Sequence, residues 1–114
     1  MHFQHDNAPQ SKIITVVAGE ILDVLLDVRP ESESYGKAIS LLLKGGTGLS
    51  LFIPHGVAHG FQVLSESAIT LYAVSTGYSE ENDLGVRFDS FGFAWPIESP
   101  IVSARDAALP RFKR

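Results

Sequence analysis

Short runs of apolar, mostly β-branched residues alternate along the chain with turns rich in glycine, serine and proline, and no amphipathic stretch is long enough for a substantial helix. Lys12–Val17 is the first such run; the branched side chains of Ile13 to Val17 are stiff at χ1 and favour a pleated backbone. Gly19 turns the chain into Glu20–Val28, where Glu20, Asp23 and Asp27 interrupt apolar residues, as in a strand with one better-buried face. A helix is conceivable there, but Gly19 on one side and Arg29-Pro30 on the other leave about two turns, so a strand is expected. Polar residues Pro30–Ser34 form a loop, Tyr35–Lys44 predicts a third strand, and Gly45, Gly46 and Gly48 turn the chain into the apolar run Leu49–Ile53. Further strands are predicted over Phe61–Leu64, Ala68–Ser75 and Val86–Phe88. The aromatics of Phe91–Pro96 are expected to cap one end of the fold. Ser103–Leu109 predicts one or two helical turns, with Ser103 as N-cap and Asp106 at the third helical position. About six short strands between turns predict an all-β antiparallel sandwich or barrel, with a short C-terminal helical turn.

Composition narrows the class. At 114 residues, 45% hydrophobic and 19% charged, the sequence is that of one globular domain spanning 1–114. The absence of cysteine excludes disulfides, thiolate nucleophiles and thiolate metal sites. A net charge of −4 leaves no broad basic surface, and the basic tail Arg111–Arg114 reads as a solvated terminus, so no nucleic-acid partner is expected. No apolar run approaches the ~20 residues of a membrane span, and the N-terminus has no basic region followed by an apolar one. A soluble cytoplasmic protein without a membrane partner is the expectation.

Candidate chemistry centres on Ser50–Phe61. The apolar run stops at Pro54, which cannot donate to a sheet ladder; Gly56 frees the backbone for a tight turn, and His59 enters the next strand. The spacing Pro54-x-Gly56-x-x-His59 resembles the second conserved segment of the cupin superfamily of small β-barrels, which implies a jelly roll. Neutral imidazole is a common metal ligand, but metal-binding cupins carry His-x-His and then Glu in their early motif. This chain has His2-Phe3-Gln4-His5, no glutamate before Glu20, and His55 in a turn, so no metal site is expected. Metal-free acid–base chemistry needs two groups on opposite sides of a reacting carbon and a stabiliser for charge on oxygen. Taken singly, Tyr72 reads as a core aromatic with a satisfied hydroxyl, Lys12 as an edge lysine and His2 as part of a disordered terminus.

Together these residues match a narrower pattern. Met1-His2-Phe3-Gln4, Gln10-x-Lys12, Val16-Val17-x-Gly19, Asp23-Val24-x-x-Asp27-x-Arg29 and Tyr35-Gly36-Lys37 resemble the dTDP-4-dehydrorhamnose 3,5-epimerase family. The match continues through Ile53-Pro54-x-Gly56-x-Ala58-His59-Gly60-Phe61, Leu71-Tyr72, Trp95-Pro96 and Ser103-x-x-Asp106. The resemblance implies a cofactor-free, metal-free epimerase of a dTDP-4-keto-6-deoxyhexose that works as a homodimer. It implies His2 as the base that removes a proton beside the 4-keto group, Asp106 as its orienting carboxylate, and Tyr72 as the acid on the opposite face. Lys12 and His59 would stabilise the enolate, a nearby cation would make the Tyr72 phenolate less costly, and Tyr78 would stack on the thymine ring. Asp83 and Arg105 stand at substrate-binding positions where the family usually has Glu and Lys, a shorter reach and a different cation. The likeness covers the C-terminal two-thirds of the family's length, so the start was assigned too late or the chain is a truncated relative. Truncation would leave His2 on a frayed end. A silent sugar-nucleotide-binding cupin and a metal-dependent cupin are the alternative readings.

Overall fold

The computed structural model describes residues 1–113; Arg114, the last residue of the basic tail, lies outside the described residues. Eight strands form in chain order: β1 (His2–Gln4), β2 (Lys12–Ala18), β3 (Glu20–Asp27), β4 (Ala38–Lys44), β5 (Ser50–Ile53), β6 (Val57–Val63), β7 (Ile69–Val74) and β8 (Asp83–Gly85). One four-residue helix, α1 (Ala104–Ala107), follows, and Ser103 caps it by accepting from the Asp106 amide, as its sequence predicts. The strands build a five-stranded sheet ordered β4-β3-β6-β1-β8 and a three-stranded sheet ordered β5-β2-β7, with every pairing antiparallel.

The all-β, cupin-like expectation holds, with one correction: the two sheets are layered and do not close into a barrel. Ile21, Leu25, Leu43 and Val57 of the larger sheet pack against Ile14, Val16 and Ile53 of the smaller one to form the core between them. The opposite face of the larger sheet buries Val24, Leu26 and Ala58 beneath Met1, Val86, Phe91, Phe93, Trp95 and Phe112. The C-terminal aromatics therefore cover a sheet face instead of capping an end. Phe112 is part of that cover, so the tail is not wholly solvated. Interior strand β3 carries apolar residues on both faces because both are covered, and its Ile21, Val24 and Leu26 are fully buried.

Several strand assignments change: β6 starts at Val57, four residues before the predicted Phe61, β4 starts at Ala38 and not at Tyr35, and the pairings of β1 and β8 were not foreseen. His2–Gln4 forms a strand too short to leave a periodic signature, fixed between β6 and β8 by pairings of His2 with His59 and Gly85. His2 is thus held on both sides and is not frayed. The predicted strand at Val86–Phe88 lies instead at Asp83–Gly85, because β1 supplies a pairing edge there; Val86 buries its side chain just beyond.

Two glycines shape the central segment, Gly56 in its turn and Gly60 within β6. Gly56 has φ +73°, and a Cβ there would come within 2.4 Å of Arg29 Cγ. Arg29 is fixed in turn by Asp27, which its Nη2 reaches at 2.7 Å. Gly60 lets β6 pass the buried Met1, whose sulfur would lie 2.8 Å from an added Cβ.

Candidate active site

Five of the eight residues singled out in the sequence line one cavity of about 760 Å³: His2, Lys12, His59, Tyr72 and Asp106. Both sheets contribute. His2 and His59 stand directly opposite each other on β1 and β6. Lys12 and Tyr72 lie on neighbouring strands of the smaller sheet, where the register Ile14↔Tyr72 and Lys12↔Val74 puts them on the inward face with Ile14. Phe61, Phe88, Trp95 and Ile97 supply apolar wall.

Each histidine has its own carboxylate. His2 Nε2 lies 2.6 Å from Asp106 Oδ1, a contact made possible by α1, which returns from 104 positions away and is held by the Ser103 cap. On the other side of the ring, His2 Nδ1 lies 3.8 Å from Asp83 Oδ1. His59 Nε2 lies 2.9 Å from Asp23 Oδ2, and this pair is sealed in the sheet, with side-chain exposures of 4% and 0%. The His59 ring also meets Tyr72 edge-on at 6.1 Å between centroids.

Burial sets the electrostatics of the smaller sheet. It pulls the Lys12 ammonium below its ordinary pKa, a shift opposed by the carboxylates of Asp83 and Asp23. It pushes the Tyr72 hydroxyl above its ordinary pKa; a hydrogen bond with Thr70 opposes this and Asp23 adds to it. Desolvation is the largest of these influences on Tyr72, and no cation is among them.

Tyr78, Asp83 and Arg105 do not line the cavity. They form a surface cluster in which the Tyr78 hydroxyl donates to Asp83 Oδ2 at 3.1 Å and the Arg105 guanidinium pairs with the same oxygen. Asp83 joins this cluster to the cavity through His2. Among the described residues, no three His, Asp or Glu side chains gather as a metal site, and no helix is long and apolar enough to cross a membrane.

Asp23 is the functional-site residue to which the sequence reading gave no role. Its signal was a carboxylate between Leu22 and Val24 in the middle of a strand, a position that demands a buried partner.

The family model described as dTDP-4-dehydrorhamnose 3,5-epimerase matches residues 1–114. The chain belongs to this family. It is 34% identical over 114 residues to the dTDP-4-dehydrorhamnose 3,5-epimerase of Shigella flexneri, covering 98% of this chain and 63% of that protein. The crystal structure of the Bacillus anthracis str. Ames dTDP-4-dehydrorhamnose 3,5-epimerase, with TDP and PPi bound, superposes with a TM-score of 0.94 at 35% identity, covering 97% of this chain and 65% of that one. The Legionella pneumophila Philadelphia 1 dTDP-6-deoxy-D-glucose-3,5-epimerase, in complex with dTDP-4-keto-L-rhamnose, gives a TM-score of 0.88 at 31% identity, over 99% of this chain and 67% of that one. The chain thus spans less than two thirds of the length of the Shigella flexneri epimerase.

Proposed function

We propose that this chain carries the catalytic machinery of an epimerase acting on a dTDP-4-keto-6-deoxyhexose, in deoxysugar biosynthesis in the cytoplasm. The observation that carries this reading is the distribution of groups across one cavity. His2, backed by Asp106, comes from one sheet; Tyr72 comes from the other; His59 and Lys12 lie between and beside them.

A hydrogen on the carbon beside a ketone is acidic because the electron pair left behind delocalises onto oxygen. His2 takes that proton, and the C–H pair becomes the C=C bond of an enolate whose charge rests on the former keto oxygen. Lys12 stabilises that oxygen, and His59 faces a neighbouring group of the substrate. Asp106 holds the imidazole in place and stabilises the imidazolium that forms. Tyr72, its pKa raised by burial, then donates to the opposite face of the carbon, and the enolate collapses to the ketone with the centre inverted. The histidine proton and the phenolate deficit are exchanged with solvent, so the cycle needs no redox partner. Tyr78 takes the thymine ring, with Asp83 and Arg105 near the nucleotide.

A homodimer belongs to the same proposal. Ile13, Phe52 and Leu71 form an exposed apolar stripe on the outer face of the smaller sheet, with exposures of 45%, 61% and 63%, as a surface covered by a second copy would. Light scattering on the purified chain is expected to give twice the monomer mass.

The deciding experiment is proton NMR of dTDP-4-keto-6-deoxyglucose with the protein in D₂O. Loss of signal at carbon 3 or carbon 5, absent in His2→Ala, supports the epimerase. A folded protein that binds the nucleotide yet exchanges neither carbon would instead support the silent sugar-nucleotide-binding reading.

A further inference from the structure

Asp23 is a carboxylate at the centre of the larger sheet, wholly buried, with one oxygen 2.9 Å from His59 Nε2 and the other, Oδ1, without a hydrogen-bond partner. A buried carboxylate with an unmet oxygen costs stability, and an apolar residue would fill this strand position more cheaply. The neighbouring positions of β3 are such residues: Ile21 and Leu25 share its face and belong to the apolar core. What distinguishes Asp23 from them is the contact its carboxylate makes diagonally across to β6, 2.9 Å from Nε2 of the cavity-lining His59, whose direct cross-strand neighbour is the apolar Leu25.

We infer that Asp23 is a positioning residue for the epimerisation. It fixes the proton of His59 on Nε2 and the ring plane with it, so that Nδ1 is the nitrogen left to meet the substrate. The geometry favours this on three counts. The carboxylate can only accept, so a 2.9 Å contact requires the proton on Nε2 when Asp23 is ionised. Asp23 is wholly buried and His59 is 4% exposed, so solvent competes little for that nitrogen. The ring is confined on its other sides by Phe61 and Tyr72, at centroid distances of 6.2 and 6.1 Å. A ring that cannot flip presents the same acceptor nitrogen to a substrate hydroxyl beside the keto group in every cycle, which keeps the reacting carbon in register with His2 and Lys12. Asp23 also opposes the effect of burial on Lys12, so one carboxylate supports both groups expected at the substrate.

This inference rests on the epimerase reading for its kinetic consequence but not for its structural one, and the test separates the two. In ¹⁵N NMR of the imidazoles of the unmodified protein, His59 is expected to carry its proton on Nε2 with and without dTDP. Finding Nε2 unprotonated would overturn the inference whether or not the chain is an epimerase. Asp23→Asn, similar in shape and uncharged, is expected to keep the affinity for dTDP within about twofold and to lower the exchange rate at saturation by about 10²-fold. A folded Asp23→Asn protein exchanging within about twofold of the unmodified rate would overturn it as well. Should Asp23→Asn fail to fold, the nitrogen assignment in the unmodified protein decides. Absence of exchange in the unmodified protein would count against the epimerase reading and leave the NMR result to stand on its own.

Discussion

Two histidine–carboxylate pairs sit side by side in this molecule, and they are built in opposite ways. His2 and Asp106 meet at the cavity rim, with side-chain exposures of 28% and 37%; His59 and Asp23, on the neighbouring strands, have 4% and 0%. The rim pair joins a strand of three residues to a helix of four. The buried pair joins two long strands through the middle of a sheet. The difference teaches what each can do. A pair that reaches water can load and unload protons in every cycle, whereas a sealed pair is suited to present a fixed ring nitrogen and to hold the sheet together.

The sharpest way to break this comparison is to remove each imidazole in turn. His59→Ala leaves Asp23 as an uncompensated buried charge, and thermal or urea unfolding is expected to register a loss of about 3–5 kcal/mol. His2→Ala is expected to leave unfolding nearly unchanged while lowering proton exchange at the sugar by about 10²–10⁴-fold. Equal stability losses in the two variants would erase the distinction between a chemical and a sealed pair.

Tyr72→Phe sharpens the division between faces. With the acid gone and the base intact, deuterium is still expected to enter from the His2 side, while formation of the inverted sugar drops by about 10²-fold or more. Chiral analysis of product alongside exchange measures this directly, and parallel loss of both would argue against separate roles.

The pH response follows from Lys12. Its folded pKa is lowered by burial, so activity that needs its charge is expected to fall, as pH rises, before the ordinary lysine range is reached. Stability moves the other way. Between the lowered folded value and the ordinary unfolded one the unfolded chain binds the extra proton, so this residue makes unfolding harder as pH increases. Lys12→Met is expected to remove both trends, as read from rate–pH and unfolding–pH curves.

The smallest expected effect is Ser103→Ala. Losing the cap frees the Asp106 amide and costs about 1 kcal/mol locally. Because that turn aims Asp106 at His2, exchange is expected to slow several-fold while the buried pair and the global unfolding midpoint scarcely respond.

Strand content was legible where period and composition agreed. β2, β3 and β7 lie within a residue or so of the runs that predicted them, because their β-branched or leucine-rich segments end at glycine, proline or serine. The Ser103 cap was legible for the same local reason. β1 and β8 were not: each has three residues and exists because the other, and β6, offer an edge. The aromatic segment was visible, but its destination on a sheet face was not, since nothing local records which surface a cluster of rings will cover.

The sequence by itself determined an all-β domain, the turn at Pro54–Gly56 and the residue types His2, Lys12, His59, Tyr72 and Asp106, which follow from local backbone preference and from motif. Tertiary structure alone decided that His2 and Asp106, at opposite ends of the chain, lie 2.6 Å apart, that Tyr72 faces the same cavity from the other sheet, and that Asp23 lies against His59. Those outcomes depend on strand register and on which sheet covers which, long-range choices set by the burial of whole faces and written in no single segment.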